Sequence, residues 1–215
     1  MFDAHDPHRG QPVLRYGPRP SDARRAVVLV HGRGDSAEGI LDLAREVALD
    51  DVAWLAPQAA GSTWYPYSFL SPMEQNEPKL TSALAAVGAV IDCLESEGGA
   101  ADRVVLMGFS QGACLSLEYA ARQPRRYAAV IALSGGLIGP PGTPRDYPGT
   151  LGATPVFLGC SDIDAHIPVE RVSESAEVFR RMGAQVDERI YPGMGHTVNA
   201  DEIEAVRALL GAGPH

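Results

Sequence analysis

Ser110 lies in Gly108-Phe109-Ser110-Gln111-Gly112, a G-x-S-x-G stretch. An apolar run over residues 103–107 precedes it, and a helical stretch, Gln111–Arg122, follows. A serine on a sharp strand-to-helix turn holds its hydroxyl clear of the backbone, where a nucleophile for acyl transfer must stand. Side chains at 108 and 112 would collide with neighbouring backbone in so tight a turn, and both residues are glycine. The helix beyond offers unsatisfied N–H groups and a partial positive charge. A serine hydroxyl is a weak nucleophile without a base. In an elbow of this kind the acid and the histidine follow the serine along the chain. His5 and His8 lie in the N-terminal tail, His31 precedes the serine, and His215 is the last residue. His166 falls in the loop expected to hold the acid. That leaves His196, in Gly193-Met194-Gly195-His196 after the last apolar run, as the base. The acid belongs after the run 155–158, where residues 159–168 offer Asp162 and Asp164. It must accept a hydrogen bond from the imidazole and fix its tautomer, and this requirement leaves both open.

Acyl transfer also needs two N–H donors aimed at the developing oxyanion. One is the N–H of the residue after the nucleophile, Gln111. The other comes from the loop after an early strand, here His31-Gly32-Arg33-Gly34-Asp35, with Arg33 N–H as the donor. This loop lacks the G-K-[ST] ending of a phosphate-binding loop. No Cys/His/Asp cluster has zinc spacing, so neither a metal nor another cofactor is expected. An apolar acyl pocket is expected from Trp64, Tyr65, Phe69, Leu70 and Met73, with Leu137 and Ile138 as the opposite wall. Pro57, Pro66, Pro72 and Pro78 stiffen the aromatic loop. That predicts a short preformed groove, with Trp64 setting the dependence on acyl length.

These residues need a scaffold, and the hydrophobic pattern supplies one. Short apolar runs at 26–30, 52–56, 103–107, 128–133 and 155–158, and a weaker one at Gln185–Tyr191, read as strands buried on both faces. Helical stripes alternate with them. Leu80, Leu84, Val87, Ile91 and Leu94 form one, and Ile40, Leu43 and Val47 another. Val172, Ala176, Phe179 and Met182 form a third, and Ile203, Val206 and Leu209 a last helix capped by Asn199 with Glu202 at its third position. The alternation predicts an open, mostly parallel α/β sheet flanked by helices. Two long irregular segments, 57–78 and 134–154, leave strand ends at the side where such sheets bind ligands. Loops of this length are functional or mobile.

Composition excludes several partners. The formal net charge of −9 argues against nucleic acid and against a polybasic attachment to lipid. No apolar run reaches the ~18–20 residues that span a bilayer. Residues 1–10 have no apolar core, unlike a secretory signal. Cys93, Cys114 and Cys160 are odd in number, form no CxxC pair and sit in apolar segments. They read as reduced core cysteines, and the expected compartment is the cytoplasm. The expected partner is a small ester substrate; a homodimer is left open.

Four segments together resemble a known family. Val30-His31-Gly32-Arg33-Gly34-Asp35, Gly108-Phe109-Ser110-Gln111-Gly112-Ala113, Asp164-Ala165-His166-Ile167-Pro168 and Gly193-Met194-Gly195-His196 are similar to the phospholipase/carboxylesterase family, which includes acyl-protein thioesterases and small bacterial carboxylesterases. The resemblance runs from about Val27 to Leu210. It implies the α/β-hydrolase fold in one domain, residues 1–215, without a separate cap, and with 1–22 as an N-terminal extension or edge segment. The family's acid is an Asp four residues before a Pro. That implies Asp164, which precedes Pro168 by four. The implied activity is hydrolysis of carboxylic esters, thioesters or lysophospholipids through an acyl-enzyme on Ser110. Two alternatives stand beside it: a dienelactone-type hydrolase, which usually carries Cys as nucleophile, and a binding protein on the same scaffold. The chain departs from the family at Arg33, where thioesterase members have Leu. It also departs in the longer spacing of 159–164, and at 64–70, which replaces the usual W-[FY]-D stretch.

Overall fold

A computed structural model describes residues 6–97 and 101–211 of the chain. His5 and His215 lie outside the described residues. Seven strands form one sheet: β1 (Val13–Tyr16), β2 (Arg25–Val30), β3 (Val52–Pro57), β4 (Val104–Phe109), β5 (Ala129–Leu133), β6 (Pro155–Ser161) and β7 (Gln185–Tyr191). Their spatial order is β1-β3-β2-β4-β5-β6-β7. All neighbours are parallel except β1, which pairs antiparallel to β3 with Val13 opposite Pro57 and Tyr16 opposite Trp54. The N-terminal extension therefore contributes an edge strand. It gives no alternating signal because only one of its four residues is even half-buried.

Five helices cover the sheet: α1 (Ala37–Val47), α2 (Lys79–Ser96), α3 (Gln111–Arg122), α4 (Val169–Arg181) and α5 (Ala200–Gly211). Side chains alternate along each strand, so each of the five central strands feeds two cores. Val105 and Met107 of β4 join Ile40, Val47, Ile203 and Val206 under α1 and α5. Val104 and Leu106 join Leu80, Ile91, Leu115 and Phe179 under α2, α3 and α4. This double burial is why the central strands read as unbroken apolar runs. The chain leaves β2 into α1 on one face and β4 into α3 on the other. The crevice between their carboxyl ends is the topological switch point, where open α/β sheets bind ligands.

Helix starts differ in a way that matters for the site. Ser36 caps α1 by accepting from Gly39 N–H at 3.0 Å. Asn199 and Glu202 form a reciprocal box at the start of α5, with both bonds at 2.9 Å. Ser110 stands at the cap position of α3, yet its side chain makes no capping bond. The N-terminus of α3 is therefore open to a ligand.

The two long loops are tied down by hydrogen bonds. Asn76, fully buried, accepts from Tyr67 N–H at 2.8 Å and donates to Ser68 O at 3.1 Å. Gly139 N–H donates to Phe69 O at 2.7 Å, which joins one loop to the other. Arg171 donates to Leu137 O and Gly139 O, and Arg145 to Ile138 O. Buried Glu118 receives Ile138 N–H at 3.1 Å and the Tyr147 hydroxyl at 3.2 Å. Buried backbone needs such partners, and here charged side chains supply them.

Candidate active site

Ser110 occupies the turn between β4 and α3 at φ 55° and ψ −120°, a conformation that costs an L-residue energy. Several contacts hold it there. Ser110 N–H donates to Leu133 O on β5 at 2.9 Å, and Ser110 O receives Cys114 N–H at 3.0 Å. A Cβ on Gly108 would overlap the Gly112 carbonyl, and one on Gly112 would overlap Val30 O. The glycines let β4, α3 and β2 close around the serine.

His196 Nε2 lies 2.8 Å from Ser110 Oγ, and His196 Nδ1 lies 2.6 Å from Asp164 Oδ2. Residues 86 and 32 positions apart thus form one chain of hydrogen bonds. The second oxygen of Asp164 receives the N–H groups of His166 at 2.8 Å and Ile167 at 3.0 Å. Burial alone would raise the Asp164 pKa. The bonds from His196 and the two N–H groups outweigh it and hold the carboxyl below its usual range. It is therefore an anion aimed at the imidazole, which stabilises a proton arriving on His196. Asp162 is elsewhere: it receives Gly193 N–H at 2.7 Å and ties the acid loop to the histidine loop. The geometry separates two aspartates that the requirements of chemistry alone left open.

Two rings flank the imidazole. Phe109 lies 5.0 Å from it and His166 meets it edge-on at 4.7 Å. The 31–35 loop also stands at Ser110: a Cβ on Gly32 would lie 3.5 Å from Ser110 Cβ. Gly34 N–H is engaged by Ser62 O at 2.7 Å. The backbone N–H groups of Arg33 and Gln111 remain unengaged among the described residues, and both residues line the cavity at Ser110. The Gln111 side chain has a separate task. It accepts from Trp64 N–H at 3.0 Å and donates to Tyr65 O at 2.9 Å, which clamps the aromatic loop over the elbow.

The cavity at the serine has a volume of about 610 Å³. Of the expected pocket residues, Tyr65 and Phe69 line it. Trp64, Leu70, Met73, Leu137 and Ile138 do not, and each has a physical reason. Trp64 is fully buried: its indole N–H donates to His31 O at 2.9 Å and its ring lies between His8 and His31. Leu70 packs against the core under α2, α3 and α4. Met73 turns to Arg122, with its sulfur 4.0 Å from the guanidinium. Leu137 and Ile138 are fully buried, their carbonyls held by Arg171 and Arg145. Pro66, Tyr67, Ser68, Phe109, Cys114 and Ile167 take the vacated places in the lining.

His8 and His31 were legible only as a tail residue and a loop residue. Both are buried supports of the site. His31 Nε2 accepts from Ala59 N–H at 3.1 Å, so its proton sits on Nδ1, directed at Gly32 O at 2.7 Å. His8 Nδ1 accepts from Ala60 N–H at 3.0 Å, and its Nε2–H donates to Trp64 O at 2.9 Å. Burial lowers the pKa of both. The signal absent from the sequence is proximity: His8 and Trp64 are 56 residues apart. Among the described residues no group of three or more His, Cys, Asp or Glu is placed to hold a metal. Nor is any helix long and apolar enough to cross a membrane.

A serine on a tight strand-to-helix turn of a mostly parallel sheet, with a histidine and an aspartate delivered by the loops after β7 and β6, defines the α/β-hydrolase class. The phospholipase/carboxylesterase family model matches residues 18–212, and the chain belongs to that family. A crystal structure of a phospholipase/carboxylesterase from Dyadobacter fermentans superposes with a TM-score of 0.90 at 43% identity, covering 94% of this chain and 97% of that one. A putative carboxymethylenebutenolidase of Salmonella typhi is 31% identical over 91% of this chain and 76% of its own length. Acyl-protein thioesterase 1 of Neurospora crassa is 26% identical over 89% of this chain and 88% of its own.

Proposed function

We propose that the protein hydrolyses carboxylic esters through an acyl-enzyme on Ser110. The observation that carries this reading is the unbroken relay Ser110 Oγ–His196–Asp164, with bonds of 2.8 and 2.6 Å, whose serine and histidine line a cavity. Ser110 Oγ attacks the ester carbonyl as His196 Nε2 takes its proton. The carbonyl oxygen becomes an oxyanion facing the N–H groups of Arg33 and Gln111. Collapse breaks the bond to the alcohol oxygen, which leaves with the proton from His196. Water then attacks the acyl-serine with His196 again as base, and the acid departs as His196 returns the proton to Ser110 Oγ. Asp164 keeps the proton on Nδ1 and stabilises the imidazolium at each step.

Thioesters and lysophospholipids pass through the same intermediate; the thioesterase relative supports including the former and the phospholipase/carboxylesterase family the latter. The carboxymethylenebutenolidase relative supports a second reading, opening of a cyclic ester by the same serine. We place the activity in the cytoplasm on the strength of three unpaired cysteines, Cys93, Cys114 and Cys160. Titration of the acid released from a short neutral ester tests the reading. Wild-type protein turns the ester over and Ser110→Ala does not, while keeping its circular dichroism spectrum. A wild-type protein unreactive toward linear esters, thioesters and cyclic esters alike would leave only a binding role.

A further inference from the structure

Arg33 places a cation at the cavity that holds the proposed nucleophile. Its side chain is exposed and lines the cavity that contains Ser110, Gln111 and His196. The guanidinium donates to Pro66 O at 2.8 Å and Tyr67 O at 2.6 Å, and lies 5.9 Å from the centre of the Tyr65 ring. Both acceptors are neutral carbonyls. Among the described residues no carboxylate lies within ion-pair distance of Arg33. Two donors fix the planar fork against the aromatic loop, and its other three N–H groups remain for a ligand.

The other charged groups at this cavity do not cancel that cation. Asp35 also lines it, but its Oδ1 receives Ser36 N–H at 2.7 Å and lies against Gly39 in the first turn of α1. Its charge is turned to a helix N-terminus, which favours an anion. Asp164 is covered by His196, His166 N–H and Ile167 N–H. His166 and His196 add no negative charge. The cavity therefore presents one fixed, unneutralised guanidinium within the same 610 Å³ as the serine.

We propose that Arg33 selects esters bearing a carboxylate near the scissile bond. The guanidinium receives that carboxylate while Ser110 attacks the ester carbonyl. The inference rests on the proposed ester hydrolysis and adds a substrate class to it. The carboxylate could sit on the acyl or on the alcohol portion, and the test distinguishes them.

Two matched pairs provide the test, followed by acid titration at low ionic strength. Monomethyl adipate against methyl hexanoate places the charge on the acyl side. Meta-acetoxybenzoate against its neutral methyl ester places it on the alcohol side. The expected result is a preference in kcat/KM of about ten-fold for the anion in one pair, a charge-assisted contact being worth about that much. The preference should shrink as salt is added, vanish in Arg33→Met and survive in Arg33→Lys. Each comparison is a ratio within one enzyme, so a change in the backbone donor at 33 cancels. Equal rates in both pairs, or a preference that Arg33→Met retains, would overturn the proposal while leaving ester hydrolysis standing. If Arg33→Met does not fold, the wild-type ratios and their salt dependence still decide. Failure of all four esters would sink the hydrolase reading instead.

Discussion

At the scale of single residues, the two aspartates of the acid loop make opposite predictions. Asp164→Asn leaves an amide opposite His196 Nδ1 and favours the wrong tautomer. The expected loss in kcat is on the order of 10⁴, as in other serine triads. Asp162→Asn keeps an oxygen for Gly193 N–H and should cost about ten-fold or less. Steady-state kinetics on both variants checks the order, and a larger loss at Asp162 would contradict it. The candidate base was legible from chain order alone, because only one histidine follows the last strand ahead of the final helix. The acid needed a family pattern, since both aspartates have the right chemistry and the choice depends on which way a loop side chain turns. Glu202 was legible as half of a capping box, but its burial was not. It is fully buried, one of its oxygens has no hydrogen-bond partner among the described residues, and desolvation raises its pKa to about 7 from an ordinary 4.5. The native state therefore holds a proton on Glu202 that the unfolded chain releases. Stability from this group is full below about pH 4.5 and is lost as pH rises through about 7. Glu202→Gln does not titrate. Its melting temperature relative to wild type should rise by on the order of 10 °C between acid and alkaline pH. A constant difference across that range would show that Glu202 is not protonated at neutral pH.

At the scale of elements, the strand runs were easy to read because both faces of the central strands are covered. The edge strand β1 was not, because its side chains are mostly exposed and the partnership with β3 is long-range. The aromatic loop shows the sharpest limit. Its composition announces an apolar surface but does not say which rings face the substrate. Trp64 turns inward because His8, His31 and the Gln111 clamp fix the backbone around it. Trp64→Ala should therefore act by loosening the loop, lowering kcat/KM for short and long acyl chains alike. A selective loss for long chains would restore it to the pocket wall. The His8–Trp64–His31 cluster also predicts acid sensitivity. Burial lowers both histidine pKa values, so the unfolded chain takes up protons that the native state refuses. Their penalty is absent above the unfolded value near pH ~6.5 and grows as pH falls below it, down to the lowered native values. His8→Leu removes two hydrogen bonds and one of the two titrations. It should melt lower at neutral pH and lose less on acidification, as thermal unfolding at several pH values would show. A wild-type slope retained in His8→Leu would assign the acid sensitivity elsewhere.

At the scale of the whole molecule, the switch point gathers loops from β2, β4, β6 and β7 onto one edge of the sheet. Every donor and acceptor of the proposed mechanism stands at a carboxyl end of a strand, and the sheet fixes their spacing. The cavity remains finite, at about 610 Å³, and the described chain contains no domain above it. Each buried methylene contributes about 0.8 kcal/mol until the space is filled. Neutral esters should therefore gain in kcat/KM over short acyl chains and then level off. Measurements from acetate to palmitate, each below its micelle threshold, would show it. A continued rise to palmitate would require a longer channel than the fold provides.

The central claim is that Ser110 is a nucleophile activated by His196, and covalent trapping tests it most directly. A fluorophosphonate probe reacts with an activated serine and stays attached. Peptide mass spectrometry should place one adduct per chain on the peptide containing Ser110, and His196→Ala should label slower by orders of magnitude. An adduct on another residue, or equal labelling in His196→Ala, would contradict the account.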